Sequence, residues 1–152
     1  MQDTSGVHVW LVLGKAFQAL AAHAQGSLKL GRAGLGDSEF RVLVDTEAQK
    51  LAPELKADLA KVKLETADLP ALGDLTAEEP PLAPTILGLF RGAPLGEAPT
   101  NEPRAIVVYR KNLTRAVASK EELQTQIRTT LLHELGHLRG EDDDALRARG
   151  LE

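Results

Sequence analysis

His133-Glu134-Leu135-Gly136-His137-Leu138-Arg139-Gly140-Glu141-Asp142-Asp143 is the stretch that decides how this chain folds. On a helix of about 3.6 residues per turn, positions i and i+4 lie on one face, a turn apart. His133 and His137 can therefore reach a single metal ion from the same side. Glu134 follows the first histidine, where its carboxylate can take a proton from an attacking water. Gly140 stands where a positive φ ends a helix in a sharp turn. The chain then doubles back and offers Asp143 as a third ligand. A structural zinc is closed by four protein ligands, whereas a catalytic one takes three and keeps a place open. Two nitrogens and one oxygen match the second kind.

The short pattern H-E-x-x-H is that of zinc peptidases, two imidazole ligands and a general base. It fixes few residues, and helices also carry it by chance. Glycine and aspartate at the further spacing sharpen the metal reading. The acidic run Glu141-Asp142-Asp143-Asp144 also reads as a solvated turn. Within it Asp143 has the favoured spacing, Asp142 and Asp144 are the alternatives, and Glu141 sits too close to the turn.

The flanking sequence predicts a long helix. Ser119-Lys120-Glu121-Glu122 has the form of a capping box, with Ser119 as N-cap and Glu122 at the third helical position. Leu123, Ile127, Leu131, Leu135 and Leu138 recur at three- and four-residue spacing and mark a core face. Glu134 falls between that face and the histidines. Partial burial there raises a carboxyl pKa, which suits a base. Gly136 inside the helix costs up to ~1 kcal/mol against alanine; close approach of another segment would explain it.

Composition bounds the rest. The 152 residues suffice for one domain with a core, and 43% are hydrophobic. Net charge is −4 with no basic stripe, so nucleic acid is not an expected partner. Cysteine is absent, which removes disulfides, thiolate ligands and cysteine nucleophiles together. Val7 to Ala24 is the one segment with the look of a targeting signal. No basic residue precedes it and Lys15 interrupts its apolar run, so an ordinary amphipathic helix is expected. It is too short and polar to span a membrane. A cytoplasmic location is the corresponding expectation.

Along the chain, residues 7–26 read as a helix and 27–36 as a glycine-rich loop. A second helix is expected from Asp37 or Ser38, with Phe40, Leu43, Val44 and Leu51 as its apolar positions. Pro53 opens a short helix over 53–60. Val62 and Leu64 alternate with charged residues as in a short strand. Residues 66–84 read as an exposed connector. Ile86–Phe90 and Ala105–Tyr109 are the best strand candidates, the second apolar enough for a covered strand. The fold class is α+β, with residues 1–36 as an N-terminal helical extension and 37–152 as the main domain.

Residues 38–152 resemble the small zincin-like metallopeptidases of bacteria, the minimal zincins. The resemblance is carried by Thr85-Ile86-Leu87-Gly88-Leu89-Phe90-Arg91-Gly92-Ala93-Pro94-Leu95, then Ile106 to Lys111, then Glu121 to Gly140 with its H-E-x-x-H, then Asp142-Asp143. It implies a small mixed sheet packed on the active-site helix. It also implies Zn2+ held by His133, His137 and Asp143, Glu134 as base, and a peptide or unfolded protein as substrate. The chain departs from proteases with the longer motif. Their site rests on a downstream methionine turn, while here Met1 is the only methionine. A missing floor is therefore expected.

Residues 7–44 also resemble the first helices of MarR-type winged-helix repressors, which form a dimer interface there. The DNA-reading helix and wing are absent. What carries over is a helix that docks on the core or pairs with a second copy in a homodimer. His8 and His23, in that segment, read as surface or packing histidines. Tyr109 and Arg110 are weaker candidates to steady an oxyanion, with a strand-end tyrosine and a solvated arginine as the plainer reading. The strand ending at Tyr109 is the candidate to hold an extended peptide. The competing functional reading is a zincin-like protein used for binding or regulation without catalysis.

Overall fold

The structure is a computed structural model, described here over residues 35–151. The helix expected over residues 7–26, with His8, His23 and the dimer contact, lies outside the described residues. Helices α1 (Asp37–Gln49) and α2 (Pro53–Leu59) precede strand β1 (Lys63–Ala67). Helix α3 (Leu72–Thr76) leads to β2 (Gly88–Arg91) and β3 (Ala105–Tyr109). The short α4 (Arg110–Arg115), the long α5 (Lys120–Leu138) and α6 (Asp143–Ala148) complete the α+β architecture. None of the described helices is long and apolar enough to cross a membrane.

The three strands form one mixed sheet in the order β1-β3-β2. β1 runs parallel to β3 and β2 antiparallel to it. Alternation along β3 splits its side chains between the two faces. Ile106 and Val108 join the main core with Leu123, Ile127, Leu131, Leu135 and Leu138 of α5. Those five are at most 1% exposed, so the three-and-four spacing is a core stripe, as predicted. Phe40, Leu43 and Val44 of α1 close that core from the other side. Val107 and Tyr109 face the opposite way, into a smaller cluster with Leu75 and Ile86.

Helix ends follow the sequence signals in part. Ser119 accepts a hydrogen bond from the Glu122 backbone N–H, as a capping box requires. Glu122 reaches back one residue further than the box predicts, to the Ala118 N–H at 2.9 Å. Pro53 occupies the first turn of α2. The second helix begins at Asp37 with Gly36 in the cap position and no side-chain cap bond, so neither Asp37 nor Ser38 is the cap. Asp37 instead pairs with Arg110 at 2.9 Å. The expected connector over 66–84 contains α3, whose Leu75 is buried in the smaller cluster.

Glu47 ties α1 to α5. Its side chain is fully buried, with Lys50 at 2.9 Å and Arg128 at 2.7 Å. Burial pushes its carboxyl up, but hydrogen bonds and charge from Lys50 and Arg128 outweigh burial and hold it below the ordinary 4.5. A depressed folded pKa means this pair stabilises the fold above 4.5, and the stabilisation is lost as pH falls through the lower folded value. Glu47→Gln should lower stability by about 1–3 kcal/mol near neutral pH. Urea titrations of both proteins should show that difference shrinking in acid; a pH-independent difference would assign the loss to packing instead.

Candidate metal centre

The long helix α5 carries His133 and His137 one turn apart, and the turn after it brings Asp143 back to them. Gly140 has φ +89°. Around it the Glu141 N–H donates to the Gly136 carbonyl at 2.9 Å and the Gly140 N–H to the His137 carbonyl at 3.0 Å. This pair of bonds is a Schellman turn, which satisfies the last carbonyls of the helix and requires a left-handed residue at its centre. Gly140 supplies that residue, as its spacing predicts.

The two imidazoles are oriented from behind. His133 Nδ1 lies 2.6 Å from the Leu151 carbonyl and His137 Nδ1 lies 3.0 Å from the Glu141 carbonyl. A carbonyl oxygen only accepts, so each Nδ1 carries the hydrogen and donates it. In the neutral rings each Nε2 then presents a lone pair. These two Nε2 atoms are 3.1 Å apart. Asp143 Oδ1 is 3.2 Å from that of His137 and 3.7 Å from that of His133. A tetrahedral zinc with bonds of about 2.0–2.2 Å needs ligand atoms roughly 3.3–3.5 Å apart. The three separations lie within a few tenths of an ångström of that spacing, so small side-chain shifts would seat such an ion.

The surroundings favour positive charge at this point. Burial pushes His137 down, but its hydrogen bond to Asp143 and the carboxylates of Glu134 and Asp143 outweigh burial and raise it above its ordinary 6.5. The neighbouring acids have other partners. Asp142 caps α6 by accepting from the Ala145 N–H at 2.8 Å, and Asp144 pairs with Arg147 at 3.1 Å. Of the acidic run, Asp143 is the residue brought within reach of both histidines.

Glu134 is 6% exposed and lies outside the three-atom cluster, beside β2. A Cβ on Gly88 would stand 3.4 Å from Glu134 Cγ and 2.6 Å from Thr130 Cγ2. β2 thus passes against the motif helix at a point where only glycine fits. Gly88→Ala should cost about 1–3 kcal/mol through overpacking and displace the Glu134 carboxylate. Thermal melts and a structure of the variant check this; an unmoved Thr130–Glu134 segment at wild-type stability would refute it.

Two expectations about the surroundings are corrected. The strand ending at Tyr109 is central, with β1 on one side and β2 on the other, so its backbone cannot hold a peptide. The Tyr109 N–H donates to the Leu87 carbonyl at 3.0 Å, and the antiparallel ladder continues through Leu89–Val107. By alternation, the N–H and C=O of Gly88 and Phe90 face the outer edge of the sheet. Among the described residues, that edge runs next to Glu134. Tyr109 is packed in the small cluster, its hydroxyl pushed up to about 12 by burial and then by Asp74. Arg110 pairs with Asp37 and Asp68 and donates to the Leu35 carbonyl. The plainer reading holds for Tyr109, whereas Arg110 is a paired, largely buried arginine and not the solvated one expected.

The second correction concerns the floor. Residues after Asp143 form α6, whose Leu146 is fully buried against Gly136. The sequence shows no methionine turn, yet the underside of the site is built. The missed signal was Asp142 as an N-cap ahead of Leu146, short enough to read as a solvated tail.

The zincin-like metallopeptidase family matches residues 59–151. The chain belongs to that family. Its family segment holds the whole sheet, the motif helix and the three converging residues of this zincin. No curated protein matches the chain. Helix α1 lies ahead of the matched segment, although Phe40 and Val44 are part of the same core.

Proposed function

We propose that this zincin is a zinc-dependent peptidase, with His133, His137 and Asp143 as ligands and Glu134 as general base. The observation that carries the reading is the convergence of one ligand atom each from His133, His137 and Asp143 next to a buried carboxylate outside their set. Bound zinc would serve as Lewis acid, polarising the scissile carbonyl and making water reactive near neutral pH. Glu134 takes the proton of the attacking water and delivers it to the departing amine. The carbonyls of Leu151 and Glu141 hold the imidazoles in the tautomer that leaves Nε2 available. An extended peptide pairs with the outer edge of β2, through the backbone groups of Gly88 and Phe90. Backbone pairing favours unfolded segments as substrates.

The working unit is residues 37–152. Its start precedes the family match because α1 supplies core side chains and the buried Glu47 that pairs with Arg128. The test is metal exchange on the purified protein. Cleavage of an unfolded protein should vanish with chelation and return with stoichiometric zinc. A chain that binds zinc yet cleaves no unfolded protein or peptide would leave the fold without the chemistry.

A further inference from the structure

Helix α6 spans six residues, Asp143–Ala148. A helix of that length has no stability of its own in water. Its place must come from contacts, and Leu146 is its only buried residue, at 0% exposure. The contact is specific. A Cβ built on Gly136 would lie 2.2 Å from Leu146 Cδ2, so the leucine occupies space that any other side chain at 136 would fill. Gly136 lies on α5 between the two histidines in sequence. The missing side chain there is the socket, and Leu146 is the plug.

Two supports of the metal centre depend on this plug. Asp143 and Leu146 are three residues apart on α6 and share one face. Seating Leu146 therefore fixes the rotation of α6 and with it the carboxylate 3.2 Å from His137 Nε2. The Leu146 carbonyl also accepts from the Leu151 N–H at 2.9 Å. That bond curls the chain back so that the Leu151 carbonyl meets His133 Nδ1 at 2.6 Å. We propose that Leu146, seated on Gly136, is the positioning residue of the metal centre: one apolar contact sets both Asp143 and the carbonyl that orients His133. It touches neither metal nor substrate. The inference rests on the zinc reading above and adds a residue that the motif does not contain.

The experiment compares the full chain with Leu146→Ala, Gly136→Ala and the double variant, each loaded with zinc or cobalt(II). Leu146→Ala should bind zinc about 10–100-fold more weakly, the usual cost of losing an outer partner. Its cobalt absorption spectrum should move toward that of Asp143→Ala. Gly136→Ala should also weaken binding, by pushing α6 away. The double variant removes the clash, so the two losses should not add. A residue that merely packs would lower the melting temperature of the metal-free protein and leave zinc affinity and cobalt spectrum unchanged; that result, or additive losses, overturns the proposal. Should Leu146→Ala fail to fold, Leu146→Val carries the same test with a smaller shift in the same direction. A wild-type chain that takes up neither metal ends the zinc reading itself, whereas a wild type that loads no better than Leu146→Ala ends only this inference.

Discussion

His137→Ala should abolish zinc retention and, with it, every metal-dependent activity of the chain. Its Nε2 is the atom closest to both others, 3.1 Å from His133 Nε2 and 3.2 Å from Asp143 Oδ1. Removing it leaves one imidazole and one carboxylate, too few to outcompete water for a zinc ion. Affinity should fall well beyond the roughly 10–100-fold that loss of an outer partner costs. Alanine is a strong helix former, so α5 and its core stripe should survive the change. The melting temperature of the metal-free protein is then the control for folding. His8→Ala and His23→Ala, at the two histidines outside the described residues, should keep their zinc if His133, His137 and Asp143 are the ligands. Zinc per chain, measured after dialysis against a weak chelator, decides the matter. A His137→Ala protein that keeps a full equivalent of zinc would place the ion elsewhere.

The outcome is legible in sequence because the motif is local. His133, Glu134, His137 and Gly140 all lie on one helix or its terminal turn, and helical geometry alone dictates their arrangement. The stripe Leu123–Leu138 and the covered strand Ala105–Tyr109 are equally local patterns, and both appear in the core. What escaped the sequence is non-local. The position of the Tyr109 strand within the sheet depends on pairing with β1 and β2, and an apolar run does not reveal which strand lies at an edge. Asp37 looked like a cap, but its carboxylate pairs with Arg110, far along the chain. The floor was missed for a related reason. A six-residue acidic helix has no periodicity to detect, and only the folded chain shows Leu146 filling the gap at Gly136. Gly136 itself carried the hint, since a glycine inside a helix asks what comes close.

Glu134→Gln is the change that separates binding from chemistry. The two side chains have nearly the same shape, and an amide fits the buried place beside Gly88 without a new cavity. The ligand atoms of His133, His137 and Asp143 are untouched, so zinc content should stay at the wild-type level. Cleavage of an unfolded protein should fall by at least ~10²–10⁴-fold, because an amide cannot accept the proton of the attacking water or return it to the leaving amine. Glu134→Asp should fall in between, since its carboxylate keeps the basicity but is drawn back by one methylene. The comparison is informative in each direction. Zinc lost together with activity would make Glu134 a ligand, and the three-residue set incomplete. Zinc kept with cleavage at full rate would transfer the proton work to another group, and the carboxylate beside the edge strand would then be part of the packing around Gly88. Zinc kept with cleavage gone is what a general base requires, and no purely structural role for a residue of this size and burial predicts that pair of results.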